Sequence, residues 1–175
     1  MPDFSDILLT VDYDRTLTAP DSTVPQRNLE AIQYFMEGYN CAQAVILAFS
    51  DTIGLDKATC AKLSSSFGGG MGRMREVCGA VSGMLMVAGL LYGYEGPEEG
   101  PIKKDHYTRV QHLADKFRAE ARSIICREIL KNPPSDPIPS PRTAEYYAQR
   151  PCARMVSLAV RIMEQYIAEN PPYKD

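Results

Sequence analysis

The sequence predicts an all-α protein, a helical bundle of about six to seven helices with a short strand-like appendage at its start. Two observations lead there. Apolar residues recur at spacings of three and four along most of the chain after residue 25, and cap residues punctuate those runs. Strand-like patterning is confined to one run, Ile7 to Val11, within ILLTVDYDRTLT. The 175 residues suit a single domain of roughly 100–200 residues. Folding at that size buries about 70% of the unfolded surface, so a core forms without disulfide staples.

The elements follow in order. Residues 1–25 read as an N-terminal appendage: the strand, an acidic turn, then a polar connection through Asp21, Ser22, Thr23 and Pro25. The helical domain occupies 26–175. Its first helix starts near Gln26 and places Leu29, Ile32, Phe35 and Met36 on one face. Gly38 stops it, and Asn40 caps a second helix running from Cys41 to Phe49 or Ser50. A third begins near Asp56 and ends around Phe67. The segment FGGGMGRMREVCGAVSG holds Gly68 to Gly70 and Gly72, a loop of wide backbone freedom, and a helix is expected from about Glu76 to Gly93. The next runs from about Ile102 to Ala121, with Val110, Leu113, Ala114 and Phe117 inward. Ser123 caps a short helix that holds Cys126. Five prolines between Pro133 and Pro141 mark an extended arm over 132–143. The last helix runs from Pro151, a proline in its first turn, to about Ala168, with Val156, Leu158, Ala159 and Ile162 inside.

Composition excludes several classes. Hydrophobic residues at 45% and charged ones at 23% are those of a globular domain, not a disordered chain. A net charge of −3 with scattered Lys and Arg argues against nucleic acid. The longest apolar stretch, Val77 to Tyr92, is broken by Gly79, Ser82, Gly83 and Gly89 and falls short of the ~20 residues that span a bilayer. No secretory signal is visible, so a cytoplasmic protein is expected. There, structural disulfides are rare, and cysteines more often serve metal or redox chemistry.

Cys41, Cys60, Cys78, Cys126 and Cys152 make an odd set without a CxxC pair. Four of them, all but Cys60, fall in or beside the first turn of an expected helix, where free N–H groups favour an anion by roughly 0.3–1 kcal/mol and lower a thiol pKa. Cys60 lies a full turn inside its helix and reads as core filler. If the four meet, magnitudes restrict the outcome. Six thiolate pairs would repel by about 2–3 kcal/mol each at ~6 Å and an effective dielectric of 20. The helix ends return only about 2–4 kcal/mol altogether. A shared site must therefore hold a cation or iron–sulfur cluster, keep thiols protonated, or form disulfides.

The runs EGYNCAQAV, FGGGMGRMREVCGAVSG, SIICREIL and RPCARMV, in that order, resemble a family of redox-active proteins named for the pattern C–GCAxxG–C–C. The likeness covers about residues 28–168. By position Cys41, Cys78, Cys126 and Cys152 match the family's four cysteines and Cys60 matches none; Val77 departs from the pattern, which puts glycine before the cysteine. A similar domain accompanies split-Soret cytochromes, so the resemblance implies an iron–sulfur centre by analogy. Without CxxCH, covalent haem is not expected. In CGAVSG, Gly79 and Gly83 lie four apart, and their missing side chains either let another backbone approach or make room beside Cys78 for a cofactor. Arg73 and Arg75 are expected to flank the cysteines, favouring thiolates, or to face solvent.

Two other motifs compete. VDYDRTLT resembles the first motif of haloacid dehalogenase-like phosphatases, which would make Asp12 a nucleophile and Asp14 a general acid/base. The likeness ceases by Phe35, and the segment reads as an extension. GGGMGR precedes a helix as anion-binding loops do, but no Lys-Ser/Thr follows, and Arg75 stands where GxGxxG needs its third glycine. His106 and His112 read as surface residues.

The expected function is redox handling by Cys41, Cys78, Cys126 and Cys152, either as ligands of an iron–sulfur cluster or as a thiol/disulfide system passing electrons to an unknown redox partner. The sequence leaves open whether the protein is an enzyme. The alternatives are a structural zinc module and a helical scaffold with incidental cysteines. A homodimer is expected from the glycine-rich apolar helix.

Overall fold

The computed structural model describes residues 26–97 and 100–172. The strand read at Ile7 to Val11, and Asp12 and Asp14 with it, lie outside them. The described residues form an all-α fold. Apart from a 3₁₀ turn at Ser65–Phe67 and a kinked glycine turn at Gly68–Met71, its helices are α1 (Gln26–Met36), α2 (Cys41–Ala48), α3 (Ser50–Ile53), α4 (Lys57–Ser64), α5 (Gly79–Tyr92), α6 (Pro101–Ala121), α7 (Cys126–Ile129), α8 (Ala144–Gln149) and α9 (Cys152–Glu169). Among the described residues no strand forms; one antiparallel bridge joins Val77 to Ile125.

Helix α2 is the hub. Each of its residues except Gln43 is buried, and α1, α4, α5 and α9 pack around it. Its composition, CAQAVILA, is apolar on every face, as a helix enclosed by others must be. α5 is nearly as apolar and lies along α2, while α6 covers α5 and α9 from outside with Leu113, Ala114 and Phe117. α9 is amphipathic and buries Val156, Leu158, Ala159 and Ile162 as expected. In α1 the buried stripe is Asn28, Ala31, Ile32 and Phe35, so Leu29 and Met36 sit at its margins.

Arg27 ties three helices at the far end of α2. It lies 4.8 Å over the Phe49 ring, donates to the Ala48 carbonyl and to Asp51 at 2.6 and 3.1 Å, and approaches Glu164 on α9 at 3.5 Å.

Two expectations change. The glycine helix begins at Gly79, not near Glu76, because residues 76–78 are drawn into pairing with residues 124–126. Cys78 N donates to Ile124 O at 2.8 Å and Cys126 N to Glu76 O at 2.6 Å, and a backbone bonded sideways cannot also wind a helix. The proline arm leads into an unforeseen helix, α8, capped by the Thr143 side chain.

Gly79 and Gly83 face the start of α2 within the same chain. A Cβ on Gly83 would stand 2.7 Å from Ala42 O, and one on Gly79 would stand 2.9 Å from Phe67 O and 3.2 Å from Ala42 N. Gly79 and Gly83 are thus covered within the chain, whereas nothing lies within 4 Å of a Cβ at Gly89. No helix of the described residues is long and apolar enough to cross a membrane.

Candidate functional site

Four helix starts converge on one cavity of about 50 Å³, and its walls include Cys41, Cys78, Cys126 and Cys152. Each cysteine arrives there for a local reason. Cys41 opens α2 because Asn40 forms a full capping box: its side chain accepts from Ala42 N and Gln43 N at 3.0 Å, while Gln43 Oε1 accepts from Asn40 N at 3.0 Å. Cys78 is the N-cap of α5, held by its bond to Ile124. Cys126 starts α7 on the other side of the same bridge, so the Val77–Ile125 pairing brings these two cysteines together. Cys152 starts α9 directly after Pro151.

Gly70 lets the glycine loop close over this pairing. Its φ is +72°, and a Cβ there would lie 2.7 Å from Cys126 Cβ and 2.9 Å from Glu76 N. Cys60 is fully buried on α4, does not line the cavity, and points its thiol to Leu55 O at 3.8 Å. Neither His106 nor His112 lines the cavity.

The four thiols are not electrostatically equal. Burial pushes the Cys78 thiol up to about 12, opposed by the N–H groups of Ala80 and Val81. Burial also raises Cys126, opposed by the neighbouring Arg75 guanidinium. Cys41 and Cys152, on the same cavity wall, shift each other in opposite directions. The neighbouring Cys152, then burial and the other sulfurs, raise Cys41 well above the ordinary thiol range. Cys152 is lowered, first by Cys41 and then by Arg150, Arg142 and Arg75, all against burial. Burial and mutual repulsion thus raise three of the thiols, Cys41, Cys78 and Cys126, while Cys152 alone is lowered.

Sequence reasoning named Arg73, Arg75, Gly79 and Gly83 beside the cysteines. Arg75 and Gly79 line the cavity; Gly83 packs on Ala42 and Val45 instead. Arg73 turns to the proline arm, donating to Asp136 O at 2.7 Å and to Ser140 Oγ at 3.3 Å. Arg75 is only 3% exposed and takes φ +64° to reach inward. Residues that the sequence reading missed are Arg142, Tyr146 and Arg150, brought to the cavity by the arm and α8. The Tyr146 ring has Arg142 at 4.8 Å and Arg150 at 4.7 Å.

Residues 39–166 match the family described as Putative redox-active protein (C_GCAxxG_C_C). The chain belongs to that family. Its four pattern cysteines are the four on the cavity wall. At the departure from the pattern, Val77 makes the bridge to Ile125 and Gly79 gives the close approach. The matched range excludes Asp12 and Asp14, and nothing supports the phosphatase-like reading of that segment. No curated protein and no solved structure matches the chain.

Proposed function

We propose that this redox-active protein works through its thiols, with Cys152 as the attacking thiolate and Cys41 as the resolving thiol. The observation that carries the reading is that Cys41 and Cys152 line one cavity with Arg75, Arg142 and Arg150, where each cysteine shifts the other, lowering Cys152 and raising Cys41. The chemistry balances as thiol–disulfide exchange. Cys152 sulfur attacks one sulfur of a substrate disulfide, that S–S bond breaks, and one substrate thiolate leaves. Cys41 then attacks Cys152 sulfur, its proton passing to the second departing thiolate. Two electrons move from the protein pair to the substrate, leaving a Cys41–Cys152 disulfide that a dithiol donor reduces by the reverse steps. Cys78 and Cys126 stay protonated beside the pair. A cytoplasmic setting, where thiols are kept reduced, suits this cycle.

A cluster is the second reading, favoured by four cysteines lining one cavity. The donor set suits a Cys₄ iron–sulfur group held by Cys41, Cys78, Cys126 and Cys152, which would supply one-electron transfer. A single zinc ion fits less well. Four thiolates about 2.3 Å from one ion must gather tightly, and among the described residues no three His, Cys, Asp or Glu side chains do so. The cavity of about 50 Å³ also leaves little room between the thiols for irons and sulfides.

Equilibration in glutathione redox buffers followed by differential alkylation and peptide mapping tests the reading. The expected product is one disulfide, Cys41–Cys152, with Cys60 blocked only after unfolding. Pairing elsewhere, or no disulfide at any potential, refutes it.

A further inference from the structure

The cavity that holds the thiols is strongly cationic. Arg75, Arg142 and Arg150 line it, and none of its lining residues is Asp or Glu. Among the described residues none of these three arginines pairs with a carboxylate; Arg73 and Arg127, their neighbours in sequence or space, do, with Asp136 and Glu76. Arg75 is the decisive group. It is 3% exposed, its Nε donates to Pro134 O at 2.8 Å, and its Nη2 is buried with no hydrogen-bond acceptor. An unpaired buried guanidinium donor costs free energy that a protein sustains only for a reason. Its backbone is held in the left-handed region, which arginine seldom adopts, and such strain gathers at ligand sites. Arg142 and Arg150 are stacked on Tyr146, which fixes them while leaving their charge unneutralised. Three positive charges thus share one cavity with Cys152.

We infer that this cavity recognises an anionic head group, a carboxylate or oxyanion, through Arg75 with Arg142 and Arg150, and presents it beside Cys152. The inference rests on the thiol reading above and deepens it: the exchange partner of Cys152 is a small anionic thiol or disulfide. The cavity of about 50 Å³ admits a head group rather than a whole cofactor, since sites for those run to roughly 300–1,000 Å³. Arg75, by its free Nη2, supplies the hydrogen bond, and the two stacked arginines supply the field.

Charge-selective alkylation of the full, reduced chain tests this. Iodoacetate and iodoacetamide both lose iodide to the attacking thiolate and leave a thioether, and they differ by one negative charge. The ratio of their rates at Cys152, read by peptide mapping, cancels the thiolate fraction. The same ratio at Cys152 in the urea-unfolded chain is the reference. The expected result is a ratio about tenfold higher in the folded protein, the scale of one charge-assisted hydrogen bond. Inorganic sulfate should slow the iodoacetate reaction more than the iodoacetamide one, in unaltered protein. Arg142→Gln and Arg150→Gln should each lower the ratio several-fold, which keeps the test independent of whether Arg75→Gln folds. A folded ratio equal to the unfolded one, unmoved by sulfate or by either substitution, overturns anion recognition while leaving a reactive Cys152 intact. Cys152 inert to both reagents removes the thiolate reading, and anion recognition with it.

Discussion

Gly83 and Gly89 lie six residues apart on α5, on different faces, and alanine at each should act in opposite directions. At Gly83 the new Cβ would lie 2.7 Å from Ala42 O, 3.0 Å from Val45 Cβ and 3.2 Å from Ala42 Cα. Two of these three atoms are backbone, so relief requires α5 and α2 to part. Overpacking of this kind costs about 1–3 kcal/mol, against about 1 kcal/mol returned by the better helix former. A net loss of about 1–2 kcal/mol follows, near the top of the difference because backbone yields poorly. At Gly89 nothing lies within 4 Å of the added carbon, so only the helix term remains and Gly89→Ala gains about 0.5–1 kcal/mol. In a chain of this size 1 kcal/mol moves Tm by about 2–4 °C. Thermal unfolding followed by circular dichroism should show Gly83→Ala melting about 2–8 °C lower and Gly89→Ala about 1–4 °C higher. Equal or greater stability of Gly83→Ala would refute the close packing of α5 on α2. That packing sets Gly79, next to Cys78, against Cys41, so the same variant should also disturb disulfide formation at Cys41.

Three further outcomes are expected. The pH profile of Cys152 alkylation should have its midpoint below the ordinary thiol value, and Cys41→Ala should move it up by removing the hydrogen bond that lowers it; an unmoved midpoint counts against the pair. Cys60→Ala should leave redox behaviour unchanged and cost about 1 kcal/mol in urea unfolding for the lost buried sulfur, since Cys60 is absent from the cavity wall. Arg27 holds the Asp51 carboxyl down at about 2. Because the folded value is depressed, its stabilisation is full above the ordinary 3.8 and is lost as pH falls from about 4 through 2. Asp51 is largely exposed, so Asp51→Asn should cost no more than about 1 kcal/mol at neutral pH and should flatten the acid limb in that window.

The helical domain was legible where local chemistry decides it. Asn40 before Cys41, Asp56 before Lys57 and Pro151 before Cys152 are caps or first-turn signals that need no tertiary information, and the helices start there. Leu113, Ala114 and Phe117 show the face α6 buries, because helical period and burial coincide. The true start of α5 was hidden, since Val77 pairs with Ile125 far along the chain and no local pattern announces that contact. The cysteine set was legible from motif order, yet which thiol is lowered was not. That depends first on Cys41 and then on Arg150 and Arg142, delivered by an arm without periodicity and by the short helix after it. One signal was available: Arg150 stands two residues before Cys152, across a proline that fixes the turn. Arg73 and Arg75 looked alike in sequence. Left-handed backbone at both, in a loop of glycines, sends one to the arm and the other inward.

Redox titration of the anaerobically purified protein, with thiol, iron and sulfide counted on the same samples, tests the thiol centre most directly. The account predicts a two-electron transition that removes Cys41 and Cys152 from the alkylatable thiols and bleaches no visible band. A one-electron transition with stoichiometric iron and sulfide, and absorption lost on reduction, would contradict it.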